Sequence, residues 1–205
     1  MMQLYYSPNS PYARKVRIVL KEKGLACREI PMDTGTPPPE FPKHNPNLRV
    51  PVLVDGEHAL FESNIIVEYL LKTYPGKGAA QPPLAAGMTR PEQHWDDLLT
   101  LNCIETMLDS GLNVFQLRKN GVTGEQSAYL KAEANRMQSD LDWLEQRATP
   151  EGFVPGVFSV QDRNLICART WINFRKPIEW QGRPKLRAIL DRYASRPSVA
   201  TTLPG

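Results

Sequence analysis

The stretch Ser10-Pro11-Tyr12-Ala13 places a hydroxyl at the predicted start of a helix. Apolar residues recur at helical spacing after Pro11, and Gly24 follows as a residue typical of a helix C-terminus. The hydroxyl of Ser10 can accept a hydrogen bond from an amide of the first turn. This position is also the positive end of the helix dipole, which favours an anionic reacting group. Two compatible roles are therefore open for Ser10, a helix cap and a group that takes part in chemistry.

Two further pairs of residues stand directly before regular elements. Val50-Pro51 precedes a strand-like segment, and Glu62-Ser63 precedes a helix-like one. A backbone at Val50 that stays unpaired can bind an extended peptide as an added strand would, although a proline at a strand start is common. Ser63 offers a hydroxyl and amides to a carboxylate, and Glu62 can accept from an ammonium group. The simpler interpretation of this pair is a capping serine with an acid near the positive helix end.

The first half of the chain alternates between strand-like and helix-like segments. The predicted order is a strand at 4–6, a helix at 11–23, a strand at 26–32, a proline-rich loop at 34–47, a hairpin at 50–62 that turns at Asp55-Gly56, and a helix that Ser63 caps and Pro75 ends. This order favours a four-stranded mixed sheet with helices packed on it.

The second half has helical patterns throughout. Capping boxes are expected at Thr89-Arg90-Pro91-Glu92, at Thr123-Gly124-Glu125-Gln126 and at Ser159-Val160-Gln161-Asp162. Ser159 and Asp162 are interpreted as structural residues that cap a central helix. The predicted organisation is a first domain at 1–77, a linker at 78–88 that is rich in Gly, Ala and Pro, and an all-helical domain at 89–205.

The composition of the 205-residue chain argues against several classes of protein. The net charge is +3, and no run of Lys and Arg builds a stripe that could follow phosphates, so nucleic acid is not an expected partner. No apolar run is long enough to span a membrane, and the first residues do not resemble a secretory signal. Three scattered cysteines and three scattered histidines suggest a reducing compartment and no metal site.

Taken together and in order, four of these motifs resemble those of the cytosolic glutathione S-transferases, in particular their bacterial, serine-containing type. Ser10-Pro11-Tyr12-Ala13 occupies the place of the Cys-Pro-Tyr-Cys motif of glutaredoxins, with both cysteines replaced. The other three are Val50-Pro51, Glu62-Ser63 and the pair Ser159 and Asp162. The resemblance implies a thioredoxin-like α/β domain followed by an all-helical domain, a homodimer, and a cytoplasmic location.

The resemblance also implies roles for individual residues around glutathione as co-substrate. Ser10 would stabilise the glutathione thiolate, with Tyr6 and Ser7 as alternatives. Val50, before a cis Pro51, would align the peptide, and Glu62 with Ser63 would hold its γ-glutamyl end. Arg49 is the preferred partner of the glycyl carboxylate, with Lys43 and His44 as alternatives. A pocket for the second substrate is expected to include Tyr12, Leu112, Phe115 and Gln116.

The implied function is a glutathione transferase of the detoxification kind, in which the thiolate attacks a small hydrophobic electrophile. Close alternatives are a glutathione-dependent isomerase, dehalogenase or peroxidase. The spacing from Ser10 to Val16-Arg17 resembles zeta-type isomerases, but their Ser-Ser-Cys signature is replaced here by Ser10-Pro11-Tyr12. A non-enzymatic binding or regulatory protein of the same fold, such as the bacterial type associated with RNA polymerase, is the alternative from another class.

Overall fold

The computed structural model describes residues 1–76, 82–124 and 127–205. The chain divides into two compact units, the first made of residues 1–88 together with 195–205, the second of residues 89–194. Residues 195–205 were expected in the helical domain, but their contacts assign them to the first unit. Part of the predicted linker at 78–88, and Glu125 and Gln126 of the second capping box, lie outside the described residues.

The first unit is built on the mixed four-stranded sheet that the sequence predicts. Its strands are β1 (Met2–Tyr6), β2 (Cys27–Pro31), β3 (Val52–Asp55) and β4 (His58–Phe61). They lie in the order β2-β1-β3-β4, with β1 parallel to β2 and the other pairs antiparallel. The hairpin turn lies one residue later than predicted, at Gly56-Glu57, since Asp55 still pairs with His58. Gly56 has a φ of 59°, a conformation that glycine adopts without a steric penalty.

The strand register brings three connecting segments to one end of the sheet. Tyr5 of β1 lies opposite Val52 of β3, which in turn lies opposite Phe61 of β4. The chain therefore leaves β1, enters β3 and leaves β4 at the same end. The segments at this end are residues 7–10, 49–51 and 62–63.

Four helices accompany the sheet: α1 (Pro11–Glu22), α2 (Phe41–His44), α3 (Ser63–Thr73) and α8 (Pro197–Ala200). The inner face of α1 buries a continuous apolar set, which includes Val16, Val19 and Leu20. The single turn of α2 agrees with the predicted loop, and its Phe41 is fully buried against Tyr5, with ring centroids 5.7 Å apart. The core of the first unit thus begins directly beneath the end of the sheet where the three segments meet.

A buried charge cluster fastens the C-terminal segment to α1. The guanidinium of Arg196 donates to both carboxylate oxygens of Glu22, at 2.7 and 2.6 Å, and each side chain is only 4% exposed. Ser198 donates to the same carboxylate. Arg14 donates to the Thr202 hydroxyl at 3.2 Å and to the Val199 carbonyl at 3.0 Å. These contacts explain why residues 195–205 belong to the first unit.

The second unit consists of helices α4 (His94–Lys119), α5 (Ala128–Arg147), α6 (Val160–Arg175) and α7 (Pro184–Tyr193). The capping box predicted at Thr89 is wrong. Asp97 accepts from the Arg90 amide at 2.7 Å, and the Thr89 hydroxyl instead lies 2.9 Å from Nδ1 of His94. The amide that a side chain satisfies here is therefore that of Arg90, and its acceptor lies seven positions along the chain and not three.

The capping box at the start of α6 is formed as predicted. The Ser159 hydroxyl accepts from the Asp162 amide at 3.0 Å, and the Asp162 carboxylate accepts from the Ser159 amide at 3.1 Å. Asp162 also accepts from the Phe153 amide at 3.0 Å. A Cβ on Gly152, whose φ is +125°, would lie 2.9 Å from this carboxylate, so a larger residue does not fit. The helix that follows is buried along most of its length.

No helix of the described residues is both long and apolar enough to cross a membrane.

The first prediction concerns the Glu22–Arg196 pair. Replacing Arg196 with Ala leaves Glu22 as a buried charge without its partner, and we expect a loss of about 3–5 kcal/mol in the free energy of unfolding. The control is Lys72→Ala, which removes an exposed ion pair with Glu68 in the same unit and should cost about 0.5 kcal/mol or less. Equal losses of unfolding free energy for Arg196→Ala and Lys72→Ala, measured by urea denaturation, would contradict this prediction.

Candidate functional site

Ser10 is the N-cap of α1, as predicted. Its hydroxyl accepts from the Ala13 amide at 3.2 Å, and Pro11 occupies the first helical position. The hydroxyl proton makes no hydrogen bond to another of the described residues. Because a serine hydroxyl can accept one bond and donate another, capping leaves Ser10 able to donate to a ligand at the positive end of α1.

Tyr6 and Ser7, the alternatives to Ser10, have other contacts. The guanidinium of Arg17 lies over the Tyr6 ring at 4.6 Å and is itself paired with Glu29 at 2.8 Å. The Ser7 carbonyl accepts from the Ser10 amide at 3.0 Å and closes the turn into α1. Among these three residues, Ser10 is the one that combines a hydroxyl with a helix N-terminus.

The Val50–Pro51 peptide bond is cis, as the resemblance implied. Val50 packs against the buried cluster of Tyr5, Met32, Phe41 and Val52. Its N–H and C=O make no backbone hydrogen bond within the described part of the chain, since β3 begins two residues later. The side chain is thus fixed by the core while the backbone remains available to an extended peptide.

The loop before Val50 is held by Asn45, which the sequence analysis missed. Asn45 is 1% exposed, and its Nδ2 donates to the Arg49 carbonyl at 2.7 Å. Its Oδ1 accepts from the Asn47 amide at 2.8 Å, and its own amide donates to the Phe41 carbonyl at 3.2 Å. An Asn before a proline is a common turn residue, so only its burial distinguishes Asn45 from the other asparagines of this loop.

The start of α3 differs from the prediction, because Ser63 is its first helical residue and does not cap it. The N-cap position belongs to Glu62, whose φ of 67° turns the chain sharply out of β4. No side chain caps this helix, and the Ser63 hydroxyl has no hydrogen bond to the described residues. An uncapped helix N-terminus with a serine is suited to an anion such as a carboxylate.

Glu62 is tied to the loop at 45–49. Its exposed carboxylate accepts from Nδ2 of Asn47 at 3.2 Å. A non-glycine residue with positive φ is uncommon and costs of order 1–3 kcal/mol. The loop contact helps to hold Glu62 in this conformation, directly before the uncapped first turn of α3. An acceptor for a cation thus stands beside a site for an anion.

The three candidate cations near Val50 have different environments. Arg49 and Lys43 are exposed and form no ion pair with another described residue. His44 is half-buried, and its ring stacks on Tyr5 with centroids 5.8 Å apart. Arg49 and Lys43 therefore keep their side chains available to a carboxylate, whereas His44 contributes to packing.

The four residues expected around a second substrate lie in different units. Tyr12 is in the first unit, where the Lys15 ammonium lies 4.8 Å from its ring centroid. Leu112, Phe115 and Gln116 are on α4 in the second unit. Phe115 packs edge-on against Trp171 at 5.8 Å and under Arg175 at 5.1 Å. Phe115 thus has a packing role within the helical unit, and the pocket stays a prediction.

The protein's own thiols are not suited to nucleophilic chemistry. Burial, followed by the negative charges of Glu29 and Asp55, raises the pKa of Cys27 to about 11. Burial and the neighbouring Asp140 raise the pKa of Cys103 to about 12, and Cys167 is fully buried in α6. Ala13 stands where a dithiol motif would have its second cysteine. Thiolate chemistry at this site therefore needs a thiol that comes from a ligand.

The second prediction follows from these raised pKa values. At pH 8 we expect the thiols of the folded protein to react with an aromatic disulfide reagent at least tenfold more slowly than those of the urea-unfolded chain, because less thiolate is present. A cysteine that reacts in the folded protein as fast as in the unfolded chain would show that its thiol is neither buried nor of raised pKa.

Comparison with known proteins gives consistent matches. The family model described as the N-terminal domain of glutathione S-transferases matches residues 4–78. Glutathione S-transferase 3 of Zea mays is 30% identical over 98% of this chain and 93% of its own length. The crystal structure of a glutathione S-transferase from Methylobacillus flagellatus with glutathione bound is 25% identical, with a TM-score of 0.81 and full coverage of both chains.

A second kind of relative matches only part of the chain. The stringent starvation protein A homolog of Coxiella burnetii is 39% identical over 41% of this chain and 38% of its own length. This likeness covers less than half of either protein, whereas the maize relative covers nearly all of both.

Proposed function

We propose that this chain, which belongs to the glutathione S-transferase family, binds glutathione at the end of its sheet and activates the glutathione thiol. The observation that carries the proposal is the register of β1, β3 and β4, which brings Ser10, Val50 and the start of α3 to one end. Each segment presents unpaired polar groups of the kind that one part of glutathione requires.

In this proposal Ser10 acts on the thiol. A free thiol has a pKa of about 8.5, so only a minority is thiolate at neutral pH. A drop of about two pKa units requires roughly 2.7 kcal/mol of preference for the anion. A hydrogen bond from the Ser10 hydroxyl and the N-terminus of α1 can together contribute an amount of this order.

The rest of the tripeptide is assigned to the other two segments. The cysteinyl unit pairs with the N–H and C=O of Val50 before the cis Pro51. The γ-glutamyl carboxylate binds at Ser63 and the first-turn amides of α3. The ammonium group of the same γ-glutamyl unit donates a hydrogen bond to the Glu62 carboxylate. Arg49, with Lys43 as the alternative, interacts with the glycyl carboxylate.

The proposed reaction is attack of the glutathione sulfur on a small hydrophobic electrophile. The sulfur forms a new bond to carbon while the leaving group departs with the electron pair of the bond that breaks. Tyr12, Leu112, Phe115 and Gln116 are proposed to contact this electrophile. The homodimer, the cytoplasmic location and a role in detoxification belong to the same proposal through the family resemblance.

A binding protein without transferase activity is the second candidate. It is favoured by the likeness of part of this chain to a stringent starvation protein A homolog. The unpaired groups at Ser10, Val50 and Ser63 favour the transferase, because a scaffold has no need of an available donor beside a ligand thiol. The two candidates differ in whether bound glutathione reacts.

The third prediction tests binding. Calorimetric titration with glutathione should show one saturable site, and Glu62→Gln should weaken the affinity by about 10–100-fold, because a charge-assisted hydrogen bond is worth about 1.5–3 kcal/mol. The control is Glu57→Gln, in the exposed hairpin turn, which should leave the affinity unchanged. A titration without heat, together with no competition by S-alkyl glutathione, would rule out the proposed site.

The fourth prediction separates the two roles of Ser10. Ser127 caps α5 in the second unit with the same geometry, since its hydroxyl accepts from the Leu130 amide at 3.2 Å. Ser10→Ala and Ser127→Ala should both lower the free energy of unfolding by about 1 kcal/mol. Only Ser10→Ala should raise the pKa of bound glutathione, by about 1–2 units, and lower kcat/KM with a model aryl halide by about 10–100-fold.

The outcome decides between the candidates. If Ser10→Ala conjugates as fast as the parent protein, Ser10 is a cap alone and the proposed mechanism is wrong. If the parent binds glutathione with the pKa of its thiol unchanged and conjugates no electrophile, the binding protein is the better account.

A further inference from the structure

Arg169 of α6 is a buried cation that lacks an acceptor. It is 9% exposed, its Nε is fully buried without a hydrogen-bond partner, and none of its nitrogens donates to another described residue. No described carboxylate forms an ion pair with it. A guanidinium has five N–H groups, and leaving such donors unsatisfied away from water is costly.

Two buried arginines of the first unit show how this chain satisfies such groups. Arg196 donates to both oxygens of Glu22, and Arg14 donates to Thr202 and to the Val199 carbonyl. Both arginines therefore have hydrogen-bond acceptors among the residues packed around them. Arg169 of the second unit differs because the contact that its guanidinium makes is with an aromatic ring.

A second arginine, Arg187 of α7, lies near enough to Arg169 to repel it weakly. Arg187 is itself exposed and is paired with Asp191 at 3.2 Å, so it offers Arg169 no acceptor. Burial first, and then Arg187, lower the pKa of Arg169 to about 10. Arg169 therefore remains charged at neutral pH, in surroundings that favour the arrival of a negative charge.

The ring of Trp180 restricts how a ligand can approach. The guanidinium carbon of Arg169 lies 4.3 Å from the centroid of this ring, and Trp180 is itself buried, in the segment between α6 and α7. One face of the guanidinium is thus covered and its Nε is fully buried, so the edge that carries the two terminal nitrogens is the part offered to an oxyanion. This edge matches the two oxygens of a carboxylate or phosphate group.

We propose that Arg169, held against Trp180, forms a binding site for a small oxyanion, a carboxylate or a phosphate group, within the helical unit. The site includes none of the residues proposed to bind glutathione, since all of those belong to the first unit. An oxyanion there neutralises a charge that the fold has removed from water, so its binding should stabilise the protein.

The test is the melting temperature of the full chain in a chloride buffer, titrated with sodium phosphate and, separately, with sodium acetate at constant ionic strength. The parent protein should show a saturable rise of about 3–6 °C when the responding anion reaches ten times its dissociation constant. A response to phosphate alone identifies a phosphate group, and a response to acetate identifies a carboxylate; either supports the site.

The variant Arg169→Met should abolish the saturable rise. In chloride alone it should melt at or above the temperature of the parent, because it removes a buried charge that lacks a partner. The matched control is Arg147→Met, which removes an exposed arginine stacked 3.4 Å from the Trp143 ring in the same unit and should keep the full anion response. Glutathione titration of Arg169→Met should match that of the parent.

Two results would overturn the proposal. One is an anion response of the same size in Arg169→Met as in the parent, and the other is a parent protein that neither phosphate nor acetate stabilises saturably. If Arg169→Met does not fold, Arg169→Lys serves instead, since it keeps the charge and loses the planar edge. An unchanged anion affinity in Arg169→Lys would equally overturn the site.

Discussion

The register of β1, β3 and β4 is the constraint on which the first unit depends. Tyr5, Val52 and Phe61 form one row across three strands, and the residues with unpaired polar groups are those that follow or precede this row. A slip of one residue would turn every side chain of a strand to the other face of the sheet. It would remove Tyr5 and Val52 from their buried cluster with Phe41 and move the three segments apart. The same strand register therefore determines both the packing of the core and the geometry of the candidate site.

The loops at the end of the sheet are fixed by the scaffold from below and by one another. Val50 is anchored through its side chain in the core, which leaves its backbone unpaired. Asn45 satisfies the Arg49 carbonyl from a buried position, and Asn47 reaches across to Glu62. A site made of exposed backbone groups needs this support, because loops without it lose conformational freedom on binding at a cost in affinity. The polar contacts of this loop position the site residues and need not touch the ligand.

Buried charge is treated in two ways within the chain. In the Glu22–Arg196 pair, two short hydrogen bonds and a third from the Ser198 hydroxyl offset the cost of burying the charges. The pair connects residues 174 positions apart. Asp162 is stabilised similarly, by backbone amides and the Ser159 hydroxyl, against a burial that raises its pKa. Arg169 is buried against the Trp180 ring and donates to no described carboxylate. Buried charges that have hydrogen-bond partners within the chain stabilise the fold. A buried charge without such a partner, as at Arg169, indicates where a ligand can supply the missing acceptor.

The sequence by itself determined the features that depend on neighbours along the chain. The order of strands and helices, the cap at Ser10 and the capping box of Ser159 and Asp162 arise from hydrophobic spacing and from hydrogen bonds that span three residues. The motifs at Val50-Pro51 and Glu62-Ser63, predicted to bind one ligand, lie at the same end of the sheet. Only the tertiary structure decided that α3 begins uncapped at Ser63, that Asp97 accepts from the Arg90 amide where a capping box at Thr89 was predicted, that Asn45 is buried, and that residues 195–205 join the first unit. The start of α3 depends on a turn that follows strand pairing, the C-terminal segment on partners 174 positions away, and the other two on which side chains the fold buries. Patterns over three or four residues carry no information about burial or about contacts of that kind.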